Sequence, residues 1–319
     1  MVSVRGVDST MMLQNATRHS WKLAAAEISG IRVQWGSLGS GNIVEGQSSG
    51  DGHLIYLPAA DSCTQLVNGA PLEKNAFMIL EPGSEFCLGI GFEHNWCSIF
   101  IPTHVFDLGR GLAATEAEPN EMIRRTTRPD RLLAGRLRAS VDHILSMASR
   151  HPEFESSVAS KVVAEQLQEL GALIVQGKQR SETEHAGSAR KLSRKEIIHR
   201  AQQLLEEHED EHVLVSELAA GTGVSERTLR NAFNEYYDVS PLRYLQIRNA
   251  HRVHRALRKA EPDETHVTRV LLEHGETEFG RFAQRYRRLF GELPSETLRK
   301  KRPNIQSESA WQTRLAEIA

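Results

Sequence analysis

Shifted by 53 positions, the C-terminal third of this 319-residue chain overlays itself. Leu218 falls on Leu271, Leu229 on Phe282, Phe233 on Tyr286, Tyr237 on Phe290 and Pro241 on Pro294. A repeat whose apolar residues and prolines coincide leaves few folds open. Each copy reads as a short helix, a glycine-containing turn, a second helix, and a proline that starts a third. In the first copy VSELAAG is the leading helix and TGVS the turn. Ser225 is placed to cap the next helix, its hydroxyl accepting from an otherwise unpaired N–H. In the second copy VTRVLLEH leads, Gly275 makes the turn and Thr277 is the expected cap. Ser240-Pro241 has the cap-then-proline form of a helix start. Two helices across a tight glycine turn make the helix-turn-helix shape. Between the copies, PLRYLQIRNAHRVHRALRKA is long enough for one continuous helix that fixes their separation.

On a wheel of about 100° per residue, Leu229, Ala232 and Phe233 share one side of 225–236. Arg227, Arg230, Asn231 and Asn234 share the other. Arginine can give two parallel hydrogen bonds to guanine and asparagine two to adenine, so this face carries the donors that read base edges in a major groove. The expected first reader helix therefore uses Ser225, Arg227, Thr228, Arg230, Asn231 and Asn234. In the second copy Phe279, Phe282, Ala283 and Tyr286 are expected inward. Its DNA-facing set is Thr277, Gly280, Arg281, Gln284, Arg285 and Arg288, with Gly280 permitting close approach. One such helix is most simply a solvated surface; two matched copies with Arg, Asn and Gln outward are not. Readers entering one face of B-DNA sit about 34 Å apart. Arg248 and Arg252, with Arg255 and Arg258, are candidates for phosphate contacts, although plain solubility explains them equally well.

Charge agrees in sign. The net charge of −2 hides 22 Lys/Arg against 18 Asp/Glu between Arg190 and Arg302, and 17 against 11 between Ser225 and Arg302. A basic end on an acidic body points weakly to a polyanion partner.

Upstream, WKLAAAEI, IRVQWGSL, GHLIYLPA, NAFMILEP, EFCLGIGF and NWCSIFIP are short apolar runs between Gly, Pro, Asn, Asp and Ser clusters. They predict a sandwich or small barrel, although WKLAAAEI also fits a helical turn. After Pro119 two runs take a helical period, RLLAGRLRASVDHILSMA and FESSVASKVVAEQLQELGALIV. These helices either pack on the same domain or pair with a second copy of the chain as a homodimer. GKQRSETEHAGSAR has a linker composition, and PNIQSESAWQTRLAEIA forms a tail. The fold class is α+β.

No apolar run approaches the roughly 20 residues that span a bilayer, and MVSVRGVDSTMMLQNATRHS lacks the apolar core of a secretory signal. The expected place is the cytoplasm, with no membrane partner. Cys63, Cys87 and Cys97 match no zinc or redox spacing and read as packed thiols, with a redox sensor as the alternative. His53, His94 and His104, with Glu85 and Glu93 nearby, contain no His-x-His, so no metal is expected. No GxSxG, Walker loop or dinucleotide fingerprint occurs. The glycines of GSLGSGN read as a turn. No catalytic residue and no cofactor are expected.

The strings VSERTLRNAF, DVSPLRYL and GRFAQRYRRLFGELPSETLRK resemble the AraC/XylS family of bacterial transcription regulators over roughly residues 195–300. The resemblance implies a cupin-like N-terminal β-barrel or sandwich with packing helices, and a C-terminal all-α double helix-turn-helix domain. It divides the chain into a flexible N-terminus (1–20), a cupin-like sensor or dimerisation domain (21–176), a linker (177–195), the DNA-binding domain (196–302) and the tail (303–319). It implies double-stranded DNA and RNA polymerase as partners, activation as the sign, and a nucleoid-associated bacterial protein. A small-molecule effector would then sit among residues such as Trp35, Tyr56, Phe86 and Trp96; the other reading is that these aromatics pack on themselves. The chain departs from the pattern at Gly275-Glu276, where the family usually has Gly-Phe, and at Gln284, where it commonly has Arg. Glu276 and Glu278 near a groove would repel phosphate, or accept from cytosine amino groups, or Glu278 would favour the helix N-terminus; the helix-terminus role is the one expected, with a second unit that binds more weakly than the first. The alternatives to a sequence-specific regulator are a non-sequence-specific DNA organiser and a cupin-type metalloenzyme fused to a DNA-binding module.

Overall fold

A computed structural model of the chain describes residues 6–59, 64–108, 125–127, 129–176, 193–209 and 211–300. Its first half is a nine-stranded antiparallel sheet. Strands β1 (Val7–Ile28) and β2 (Ile31–Ser48) form a long hairpin. Ser29 and Gly30 close it with φ of 47° and 81°, the positive values that a two-residue hairpin turn demands. β1 therefore begins inside the 1–20 stretch read as a flexible N-terminus, and WKLAAAEI is its extended end. Strands β3 (Gly52–Pro58), β4 (Gln65–Val67), β5 (Ala70–Leu72), β6 (Met78–Leu80), β7 (Glu85–Ile90), β8 (His94–Pro102) and β9 (Arg125–Thr126) complete the sheet. Helix α1 (Thr103–Leu108) follows β8.

The long β2 changes partner along its length. Arg32 to Leu38 pair with β8, and Asn42 to Gln47 pair with β7. The glycines of GSLGSGN, expected in a turn, instead sit at this corner within β2. A Cβ on Gly41 would lie 2.4 Å from the Gly91 carbonyl oxygen, and one on Gly39 equally close to that of Arg18. The missing side chains let the backbones meet there.

One sheet face carries Ile31, Val33, Ile55, Leu57, Ile99 and Ile101 at period two. They share a core with Leu137, Val141 and Ile144 of α2 (Arg131–Arg150) and Leu167, Leu170 and Ile174 of α3 (Val158–Gln176). Both helices thus pack on their own sheet. Val158, Val162 and Leu173 of α3 stay exposed. Leu54, Tyr56, Met78, Phe86, Trp96 and Phe100 fill a second cluster.

The second half is helical: α4 (Arg194–Glu207), α5 (Val215–Thr222), α6 (Glu226–Tyr237), α7 (Pro241–Lys259), α8 (Val267–Glu273), α9 (Phe279–Phe290) and α10 (Pro294–Arg299). Two cores form, one per repeat copy. Leu218, Leu229, Phe233, Tyr244 and Ile247 close the first together with Ile198 and Leu205 of α4. Val253, Leu257, Leu271, Phe282, Tyr286 and Leu298 close the second. The single helix α7 gives its first turns to one core and its last turns to the other. Its 19 residues span roughly 28 Å at 1.5 Å each.

The two halves touch. Met12, Ile43 and Cys87 of the sheet enter the first helical core. Beside them, the Glu45 carboxylate of β2 accepts from Tyr237 Oη at 2.5 Å, Tyr244 Oη at 3.0 Å and Gln202 Nε2 at 2.9 Å. Burial and the adjacent carboxylate raise both tyrosine pKa values well above the usual phenol range. The tyrosines therefore donate and the carboxylate accepts. Arg243 Nη2 donates to the Gln14 carbonyl at 3.0 Å, and the Leu13 amide donates to His251 Nε2 at 2.8 Å. The linker stretch 177–192, the tail 303–319 and Cys63 lie outside the described residues. Cys87 and Cys97 are buried free thiols, and burial pushes Cys97 up to about 12.

Candidate nucleic-acid interface

Helix α6 begins where Ser225 Oγ accepts from the Thr228 amide at 3.2 Å. Gly223 precedes it at φ 73°, a left-handed conformation that glycine adopts without steric cost. Leu229, Ala232, Phe233, Tyr236 and Tyr237 are buried, whereas Arg227, Thr228, Arg230, Asn231 and Asn234 are exposed. The wheel read from the sequence is the wheel that folds. Among the described residues, Arg227, Arg230, Asn231 and Asn234 have no side-chain hydrogen bond or ion pair. Ser225 serves the helix as its cap, and Thr228 Oγ1 lies 2.9 Å from the Ser225 hydroxyl. The face thus offers two unpaired guanidiniums and two amides.

The second reader, α9, is built differently. Gly275 makes its turn at φ 74°. The N-cap position belongs to Glu278, with no side-chain cap bond, and not to Thr277. The Glu278 carboxylate instead meets Arg281 Nη1 at 3.0 and 3.1 Å. Both side chains are more than half exposed, so water screens this pair and it is weak. Thr277, Gly280, Arg281, Gln284 and Arg288 are exposed, and Phe282, Tyr286 and Leu289 are buried. Around an added Cβ at Gly280 no atom lies within 4 Å, so packing among the described residues does not require a glycine there.

Other expectations for the helical half fail as well, most of them because a side chain is engaged inside the fold. Arg285 is only 17% exposed and pairs with Glu276 at 3.0 Å while lying over the Phe282 ring; it ties α9 down and does not face outward. Glu276 also accepts from Asn249 Nδ2 at 2.9 Å, so both of its partners neutralise or bind it inside the fold. Arg252, expected at phosphates, is 6% exposed and donates to the Glu211 carbonyl at 2.9 Å. Phe279, expected inward, is 37% exposed. Arg248 is partly buried and donates to the Leu205 carbonyl; Arg255 and Arg258 of the same helix are exposed.

A polar chain stiffens the second core. His254 Nδ1 donates to Tyr286 Oη at 2.7 Å, Tyr286 to Thr297 Oγ1 at 2.8 Å, and Thr297 to Glu292 Oε1, while Oε2 of the same carboxylate sits beside Lys300. His254 stacks on Phe290 with ring centroids 4.3 Å apart. Burial depresses both His251 and His254 to about 4.

The aromatic set named for an effector divides between two places. Tyr56, Phe86 and Trp96 are buried in one cluster, with Tyr56 stacked on Trp96 and donating to Gln65 Oε1 at 2.8 Å. Trp35 packs against the other core, under α2 and α3. Glu45 and Gln202 escaped notice in the sequence. The signal was Tyr237 at the end of α6 and Tyr244 in the first turn of α7, apolar-face tyrosines whose buried hydroxyls need partners somewhere. Among the described residues no cluster of three His, Cys, Asp or Glu is placed to hold a metal, and no helix is long and apolar enough to cross a membrane.

Residues 218–300 match a family profile described as a helix-turn-helix domain. The XylDLEGF operon transcriptional activator of Pseudomonas putida is 33% identical over 100 residues, 31% of each chain. The probable thc operon regulatory protein of Rhodococcus erythropolis is 34% identical over 103 residues, 32% of this chain and 31% of its own. The chain therefore aligns with about a third of the length of these relatives. A crystal structure of a probable AraC family transcriptional regulator from Rhodopseudomonas palustris CGA009 shares 30% identity, with a TM-score of 0.30, covering 34% of this chain and 98% of that one.

Proposed function

We propose that the C-terminal helical domain is of the AraC/XylS type and that the protein is a sequence-specific DNA-binding transcription regulator and an activator, a reading supported by the helix-turn-helix profile over 218–300 and by the likeness to transcriptional activators. One observation carries the reading. On α6 the donors Arg227, Arg230, Asn231 and Asn234 are exposed and unengaged among the described residues, while the opposite face is buried. Four base-reading side chains thus share one exposed face of the helix, none of them engaged by the carboxylates of Glu226 and Glu235 on the same helix. The roughly 28 Å length of α7 suits two readers entering one face of a duplex a helical turn apart.

The sheet half is then the part that takes an effector or a second copy of the chain, and RNA polymerase is the downstream partner. The exposed Val158, Val162 and Leu173 on α3 favour a homodimer through that helix. The protein acts on the bacterial chromosome in the cytoplasm.

The test is selection from random duplexes with the full chain, followed by binding at several salt concentrations. An enriched site bound at least ~1,000-fold more tightly than random DNA supports the proposal. Binding that follows salt alone, with no enriched sequence, would make the protein a DNA organiser instead.

A further inference from the structure

The repeat matches Glu226-Arg227 of the first reader with Phe279-Gly280 of the second. The two helices therefore present different chemistry at the end that enters a groove. The first offers a free guanidinium. The second offers a phenyl ring, 37% exposed, beside bare backbone with open space around it. Its nearest donor, Arg281, faces the Glu278 carboxylate, and Arg285 is held by Glu276. An apolar surface is thus displayed in this turn, where the first reader places a guanidinium. In the major groove the apolar feature that distinguishes one base from another is the pyrimidine 5-methyl group.

We propose that Phe279 reads a pyrimidine 5-methyl in the major groove, thymine in unmodified DNA, with Gly280 giving the clearance that lets the ring reach it. This rests on the DNA-reading proposal above. The second copy then selects by shape and methyl contact where the first selects by hydrogen bonds.

The experiment starts from a site selected by the full-length protein. Each thymine is replaced in turn by deoxyuridine, which removes only the methyl. Wild type should lose about fourfold in affinity at one thymine, the factor that goes with burying one methylene-sized group. Phe279→Ala should bind the unmodified site about as weakly and be indifferent to deoxyuridine at that position. Phe279→Leu should retain part of the sensitivity. Placing cytosine at the sensitive position weakens wild type, and 5-methylcytosine there should recover about the same factor.

Wild type indifferent to every deoxyuridine, or Phe279→Ala and wild type equally sensitive, overturns the inference. So does the absence of recovery with 5-methylcytosine, which would show that a pyrimidine 5-methyl is not by itself what the ring recognises. If Phe279→Ala proves unfolded by circular dichroism, the wild-type and Phe279→Leu series decide alone. Failure to select any site would instead bring down the regulator reading, and this inference with it.

Discussion

Arg227 and Arg252 are both arginines of the helical half, and their surroundings give them opposite duties. Arg227 is exposed with no partner among the described residues. Arg227→Ala should cost on the order of 1–3 kcal/mol at a selected site and little on random DNA. Equal losses on both, measured by titration at one salt concentration, would show that Arg227 touches only backbone. Arg252 is buried against the Glu211 carbonyl and Asn249. Arg252→Ala orphans those acceptors and should lower stability by about 1–3 kcal/mol. The slope of log affinity against log salt should not change, because no phosphate contact is lost. A slope shallower by about one unit would restore Arg252 to the phosphates. From the sequence these two residues look alike. Period and charge reveal which side of a helix is polar, but not which polar residue a neighbouring loop will cover. Arg285 and Glu276 were hidden for the same reason, since their pairing depends on how α9 leans on α7. Arg227, Arg230, Asn231 and Asn234 were readable because no described residue folds over the outer face of α6.

At the scale of elements, the helices and their caps were legible where local chemistry suffices. Ser193, Ser225 and Ser240 each accept from an amide in the first turn of the following helix. The long hairpin of β1 and β2 was not, because half of β1 has no apolar run and its pairing is set by a partner strand. The second reader unit shows how an element can be tuned from within. His254 is neutral when folded, donating to Tyr286 and stacked on Phe290. Its pKa and that of His251 are held at about 4 against an ordinary 6.5. The unfolded chain therefore takes up protons at a higher pH than the folded one. Stability contributed by these burials is present above about pH 6.5 and is lost as pH falls toward about 4. Denaturant midpoints should drop between about pH 7 and about pH 5. His254→Phe keeps a ring against Phe290 but cannot titrate, so its midpoint should fall less steeply over that range. An unchanged slope would mean that carboxylates elsewhere dominate the acid response.

At the scale of the whole molecule, α6 has two tasks: its exposed side presents donors, and its last turn is fastened to the sheet. The fastening is close. A Cβ on Gly89 of β7 would lie 3.0 Å from Tyr237 Cα, so glycine there lets strand and helix backbones meet. Glu45 then satisfies two buried hydroxyls and an amide from three different segments of the helical half. Removing that acceptor orphans the two buried tyrosine hydroxyls, at about 1–3 kcal/mol for each, while Gln202 keeps its bond to Tyr237 Oη. Glu45→Ala should therefore loosen the docking without touching either reader face. The expected signature is a split of one thermal transition into two, since each half keeps its own core. Faster amide exchange should follow at the last turn of α6 and along β2, but not in α8 or α9, whose core does not include this contact. Glu45→Gln retains one acceptor oxygen and should fall between the two. A single transition with uniformly lower midpoint in Glu45→Ala would show that the cores, not this carboxylate, hold the halves together. DNA affinity then separates the two tasks of α6: a variant that keeps its selected site while losing the docking signature shows that the reader is formed by its own trihelical unit and only oriented by the sheet.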